Sequence, residues 1–301
     1  MFEWDLPVLR RLRALVLCLA LSAAMPGSAA TVVLYDAALG TRPSAQGWTY
    51  LADPIFGAAA RESFADGVAL LDSRVAVSDK AGWFSNLPPF GRHPAQPSLD
   101  SERGFLISFI AQVLEETHRT EHRAGFSVIV TAANLSAIEL GFWTDRVWAQ
   151  SGPDFLQAES GALDAATAPI RYDLEVRGSR YRLSANGATV LSGDLRRYDS
   201  FGLPYQIPEF LFFGDDTTSA AGLAAVSRIS AGDLPVLSVA RDETAGWVLS
   251  TSAENGREVR FDHSEDLVTW VEVGRAVSGQ GVAQVAIPTG ATARFFRAVL
   301  Q

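Results

Sequence analysis

From residue 31 onward apolar and polar side chains alternate with a period of two over most of the chain. That spacing sends successive side chains to opposite faces of an extended strand, and it predicts an all-β protein. The clearest stretch is residues 125–150, GFSVIVTAANLSAIELGFWTDRVWAQ, which reads as three antiparallel strands. With Thr144-Asp145 as a two-residue turn, Phe142 pairs with Val147 and Leu140 with Ala149 on one face. Trp143 with Arg146, Gly141 with Trp148, and Glu139 with Gln150 fall on the other. The first face is core. The second carries a carboxylate, an amide, a guanidinium and two indoles around a glycine that leaves room for a ring. Glu139, Trp143, Arg146, Trp148 and Gln150 are therefore the candidate ligand-binding residues.

The same pattern organises the rest. Residues 104–114 form the longest apolar strand, with Phe105, Ile107, Phe109, Ala111 and Val113 on one side and a mostly apolar second side, so it should lie mid-sheet and be covered on both faces. Residues 171–177 alternate Tyr172, Leu174 and Val176 against Asp173, Glu175 and Arg177, and Asn186-Gly187 is the strongest hairpin signal in the chain. Only residues 58–71 have helical spacing, and Gly67 interrupts it. Four prolines make residues 85–103 a surface loop. Small and turn residues at 230–235 mark a boundary between a sandwich over residues 31–232 and a smaller β-only module over residues 233–301. The strands of that module are expected near 247–250, 259–261, 270–273, 282–287 and 294–300.

Residues 1–30 read as a signal peptide. Arg10, Arg11 and Arg13 precede an apolar run from 14 to 24, Pro26-Gly27 breaks it, and Ser28-Ala29-Ala30 offers small residues for cleavage. The run is shorter than the ~20 residues of a membrane-spanning helix. A secreted or periplasmic chain starting near Thr31 is expected, without a membrane span. Cys18, the only cysteine, lies inside the run, so stability after cleavage must come from burial alone. The formal net charge of −9 disfavours nucleic acid as a partner.

Catalytic motifs are incomplete. His118-Arg119-Thr120-Glu121-His122 spells a zinc-peptidase motif, but it sits between strand patterns where that motif requires a helix. A jelly-roll glycosidase would set carboxylates along one strand in an E-x-D-x-x-E phrase; from Glu139 onward, glycine and threonine stand where the second and third acids belong. Glu139 then reads as a hydrogen-bonding residue or an exposed salt-bridge partner. Asp215-Asp216-Thr217-Thr218 can be a calcium or sugar-hydroxyl site, or a turn whose acids bond nearby backbone N–H groups; the turn is the favoured reading, with no metal and no cofactor. Trp143 and Trp148 can stack on sugar faces or fill the core.

The phrases at 123–130, 138–150 and 212–220, with LYDAALGTRPSAQGW at 34–48, resemble the choice-of-anchor Y domain of secreted bacterial proteins. The resemblance covers about residues 31–230. It implies a concanavalin A-like, laminin-G-like jelly-roll sandwich with no catalytic residues. The C-terminal module is similar to short modules that close secreted bacterial proteins, in which FDHSEDLVTW at 261–270 precedes RFFR at 294–297. It implies a small fibronectin-like β-sandwich with Trp270 in its core. The resulting expectation is a non-enzymatic binding or surface-matrix protein recognising a polysaccharide or cell-surface glycan. The alternatives are a glycan hydrolase or lyase whose carboxylates come from different strands, which two carboxyls converging in a cleft would favour, and a purely structural envelope protein.

Overall fold

The computed structural model describes residues 31–52, 59–152, 154–242, 245–287 and 295–300. The signal-peptide reading at residues 1–30 lies outside them. Two antiparallel sheets face each other. One has the spatial order Ala188–Asp194, Arg180–Ala185, Ile170–Arg177, Phe105–His118, Ala220–Asp233, Val68–Asp72, Arg61–Ala65, and Val32–Asp36 pairs with the far end of Ala220–Asp233. The other has the order Gln157–Ala162, Arg146–Gln150, Ala137–Phe142, Ser127–Thr131, Phe210–Asp215, Ala81–Phe84, Thr49–Ala52. This is the all-β sandwich that the alternation predicted, with the jelly-roll character that the resemblance implied.

Phe109 shows how the two sheets are joined. It stacks on Tyr172 of its own sheet at 4.9 Å and meets Phe142 and Phe213 of the opposite sheet edge-on at 6.1 and 5.2 Å. Phe105, Ile107, Phe109, Ala111 and Val113 all enter this core, as their spacing requires. Each of the larger ones, Phe105, Ile107, Phe109 and Val113, stabilises the fold by ~1.5–3 kcal/mol through burial. The second face of that strand is covered at one end only: Leu106 and Ser108 are buried, whereas Leu114 is exposed. The buried end lies beside Asp173, where the C-terminal strands dock.

Residues 58–71 are not helical where described. Arg61–Ala65 and Val68–Asp72 form a hairpin, and Asp66-Gly67 is its turn with φ of 51° and 77°. The glycine that broke the helical spacing is the residue that lets the chain reverse. The loop at 85–103 contains one short pairing, Asn86–Leu87 with Gly91–Arg92.

The C-terminal strands form two three-stranded sheets, Ser238–Asp242, Gly246–Ser252, Val282–Ala286 and Val271–Val277, Glu258–Ser264, Phe295–Leu300. They enclose a separate apolar cluster built on Leu249, Ala253, Val259, Phe261 and Ala283. Trp270 does not belong to it, contrary to expectation. Its half-buried ring lies under the Arg297 guanidinium, 4.3 Å from the ring centroid, because an aromatic next to a cation gains more by stacking on it at the rim. These strands meet the large sheet through charge. Arg257 forks onto Asp173 at 2.9 and 2.6 Å, Glu254 bridges Arg171 at 3.0 Å and Arg228 at 2.5 Å, and Arg228 reaches Asp36 at 2.7 Å.

Candidate functional site

The central hairpin has the register that its pattern predicted: Leu140 faces Ala149, Gly141 faces Trp148 and Phe142 faces Val147. Leu140, Phe142, Val147 and Ala149 enter the main core, so Glu139, Gly141, Trp148 and Gln150 share the opposite face. The neighbouring strands add Ser127 and Ile129 to that face, and Gly214 continues the row toward Asp216.

That face is not an open groove. Residues 195–209 fold back across it, pinned by the pairing of Ala137 with Arg196 and by a bond from the Tyr198 hydroxyl to the Gln150 carbonyl at 2.7 Å. Tyr198, Tyr205 and Ile207 pack on Ile129, Phe210 and Phe212 as a second apolar layer. Glu139, Trp148 and Gln150 therefore lie at 2%, 0% and 2% exposure, beneath protein. The Gln150 amide donates to the His122 carbonyl at 2.7 Å. Trp143 and Arg146 are partly exposed. The Trp143 indole is already engaged: the His118 ring is parallel to it at 3.9 Å, the Arg146 guanidinium lies 5.1 Å from its centroid, and Trp148 meets it edge-on at 4.8 Å. Neither indole presents a free face to a sugar in this arrangement. Glu139 is also not an exposed salt-bridge partner.

What the face does hold is a buried acid pair. The Tyr205 hydroxyl donates to the Glu139 carboxyl at 2.5 Å and lies 3.4 Å from that of Asp216. The two carboxyls thus meet at one phenol hydroxyl. Glu139 sits at the middle of strand Ala137–Phe142, and Asp216 follows directly on strand Phe210–Asp215, two strands away in the same sheet. Burial, then the charge of Asp216, pushes Glu139 well above the usual carboxylate range, although the Tyr205 bond opposes this. Burial likewise raises Asp216, with the Ser127 hydroxyl and the Arg123 charge offsetting part of the rise. Tyr205 is driven up by burial and by both acids, so its phenol stays protonated and remains a donor. Such a pair keeps a proton at pH values where an isolated carboxyl has lost it. Asp216 and Arg123 are partly exposed and give the pair its contact with solvent.

A carboxyl whose pKa is raised on folding stays protonated in the native state while the unfolded chain ionises, so its contribution to stability falls as pH rises above ~4.3 toward the raised value. Urea unfolding of Glu139→Gln, which cannot ionise, should show a flatter decline over that window than the parent protein does. Parallel curves would mean that Glu139 is already ionised in the fold.

The other motifs have structural partners. His118 ends its strand and pairs with Glu116 at 2.9 Å, while His122 accepts from the Gln157 backbone N–H at 3.2 Å in a loop. Asp215 is buried and accepts from the Ser73 hydroxyl at 2.6 Å and from the Thr217 N–H at 3.1 Å, which is a turn of the kind expected for an acid bonding nearby backbone. Among the described residues no group of three or more His, Cys, Asp or Glu is placed to hold a metal, and no helix is long and apolar enough to cross a membrane. Tyr205 and Arg123 are not among the candidate residues of the sequence, and Asp216 enters there only within a possible calcium or sugar-hydroxyl site. Tyr205 belongs to a covering segment that strand alternation cannot reveal, and Asp216 could be recognised as half of a pair only once its strand had a place in the sheet.

No family model matches the chain, and no curated protein matches it. Solved structures do share its fold. A carbohydrate esterase from the Shiga toxin-encoding bacteriophage phi24B is 13% identical with a TM-score of 0.46, covering 67% of this chain and 99% of its own. A protein of unknown function with a galectin-like fold from Bacillus subtilis is 14% identical with a TM-score of 0.42, covering 67% and 96%. An endo-1,3-beta-glucanase from Streptomyces sioyaensis is 12% identical with a TM-score of 0.43, covering 70% and 98%. At such identities the likeness concerns the fold alone. The expectation of a chain that is not an enzyme is corrected: a carbohydrate esterase and an endo-1,3-beta-glucanase stand among these folds, so the fold leaves binding and catalysis both open.

Proposed function

We propose that the chain is a glycan-active enzyme of the hydrolase or lyase class, with Glu139 and Asp216 as its acid–base group. The observation that carries this reading is the convergence of two carboxyls from different strands on one tyrosine hydroxyl. Retaining hydrolases hold their carboxyls ~5–5.5 Å apart and inverting ones further, to leave room for a sugar or a water between them. Here the two acids share the Tyr205 hydroxyl, 2.5 Å from one and 3.4 Å from the other, so they titrate as a coupled unit that holds a proton and transfers it. The ionised member takes a proton from the attacking water in hydrolysis, or in elimination from the carbon beside the scissile bond, whose electron pair forms a double bond; as the glycosidic C–O bond breaks, the protonated member or Tyr205 supplies a proton to the leaving oxygen. Arg123 limits the negative charge that builds up on the pair. Substrate approaches from the Arg123–Asp216 side, where the polar end of the face meets solvent.

The test is a panel of neutral and acidic polysaccharides assayed for new reducing ends and for unsaturated products. Glu139→Gln and Asp216→Asn should each lower turnover ~10²–10⁴-fold, the range for a lost acid–base group, with the fold kept. No turnover on any glycan, or turnover unchanged in both variants, would overturn the proposal.

A further inference from the structure

Far from the acid pair, on the outer face of the eight-stranded sheet, the C-terminal strands leave a cleft of about 720 Å³ against the Ile170–Arg177 and Arg180–Ala185 hairpin. That size lies within the ~300–1,000 Å³ of small-ligand sites. Strand alternation explains one wall. Tyr172, Leu174, Val176, Tyr181 and Leu183 point into the core, so Glu175, Arg177, Arg180 and Arg182 must point out into the cleft. Arg260 and Arg297 belong to the other wall, and Leu234, Pro235 and Leu237 of the connecting segment add apolar surface.

Five arginines against the two acids Asp173 and Glu175 line this cleft, in a chain whose net charge is −9. The local sign is therefore opposite to that of the whole molecule. Internal pairing leaves part of the positive charge unspent. Arg182 bonds Glu175, and Arg180 bonds Asp194 on the exposed surface. Arg260 and Arg297 share the single carboxylate of Asp262. An independent feature points to a ligand as well: Thr251, 2% exposed, lines the cleft, and its hydroxyl has no hydrogen-bond partner among the described residues. Buried hydroxyls normally find a partner. Guanidinium forks match planar carboxylates, and a neighbouring hydroxyl matches a polyol.

We propose that this cleft binds a carboxylated oligosaccharide, its carboxylates held by Arg177 and Arg180 on one wall and by Arg260 and Arg297 on the other, with a sugar hydroxyl on Thr251. The site is separate from Glu139 and Asp216 and does not depend on the activity proposed there.

Calorimetric titration of the full chain with a uronic-acid trisaccharide, its carboxyl-reduced neutral counterpart and sodium sulfate tests it. The uronate should bind, weakening as salt is raised, and the reduced sugar should bind at least tenfold more weakly. The double variant Arg177→Gln, Arg180→Gln, confined to exposed side chains, should weaken uronate binding tenfold or more, and Thr251→Val should also weaken it. Glu139→Gln should leave this binding unchanged, which separates the cleft from the proposed catalytic pair. Absence of uronate binding, equal binding of the reduced sugar, unchanged binding in the arginine variant, or sulfate competing as well as the sugar would each overturn the proposal.

Discussion

Trp148→Ala should lower the free energy of unfolding by ~3–5 kcal/mol, the cost of emptying a large aromatic site in a core. The indole is fully buried, its edge against Trp143. Its six-membered ring takes the space that a Cβ at Gly141 would need, so the two positions form one packed unit across the hairpin. A tryptophan lining an open groove would behave differently, because surface substitutions stay within ~0.5 kcal/mol. Urea unfolding distinguishes the two cases, read from the midpoint at constant slope. A loss below ~1 kcal/mol would show that the covering segment does not stay on this face in solution, since only an exposed side chain is so cheaply removed.

Arg257→Ala should cost ~3–5 kcal/mol, because it strips a buried carboxylate of its bidentate partner. Arg257 and Asp173 are 6% and 4% exposed, and Asp173 keeps only the Arg171 guanidinium at 3.4 Å and the Ser108 hydroxyl at 2.5 Å. In the intact protein burial raises the Asp173 pKa, but the Arg257 fork, the Arg171 charge and the Ser108 bond together hold it below the usual range. A carboxylate depressed on folding contributes stability that is complete above its unfolded pKa of ~3.9 and is lost as pH falls through the lower folded value. In the variant burial should dominate, so this contribution disappears and acid unfolding should begin at higher pH. Replacing both partners, Arg257→Met with Asp173→Leu, should destabilise less than Arg257→Ala alone, since no charge is then left buried and unpaired. If the double variant is the worse of the two, the contact stabilises through something other than charge compensation.

The sequence reveals the fold where residues follow a period of two. Residues 104–114 and 138–149 show their faces and partners because the face that meets the opposite sheet is apolar at every second position. Strand Ser238–Asp242 escaped notice for the opposite reason: all five of its residues are exposed, so no alternation marks it. Gly67 reads as an interruption because a turn with positive φ at both Asp66 and Gly67 looks, in one dimension, like a helix breaker. The candidate site was harder. Glu139, Trp148 and Gln150 share a face as their spacing requires, yet what lies above them depends on residues 195–209. That segment has the glycine and proline of a loop, but it also carries Tyr198, Phe201, Tyr205 and Ile207, more large apolar side chains than a solvated loop needs. An aromatic-rich loop is the one signal that could have warned that the groove would be filled, and that Tyr205 would join two acids that lie far apart in sequence.

The position of the first strand sets the order of events in making this protein. Val32 pairs with Ala231 and Asp36 with Arg228, so the beginning of the sandwich is held by its end. A chain that emerges N-terminus first carries Val32–Asp36 without its sheet partner until nearly the whole sandwich has been synthesised. Pairings this distant in sequence form slowly, and the edge of Ala220–Asp233 stays open until they do. The sheet therefore closes late, and the chain remains threadable, and open to capture by a chaperone or a neighbouring copy, for most of its synthesis.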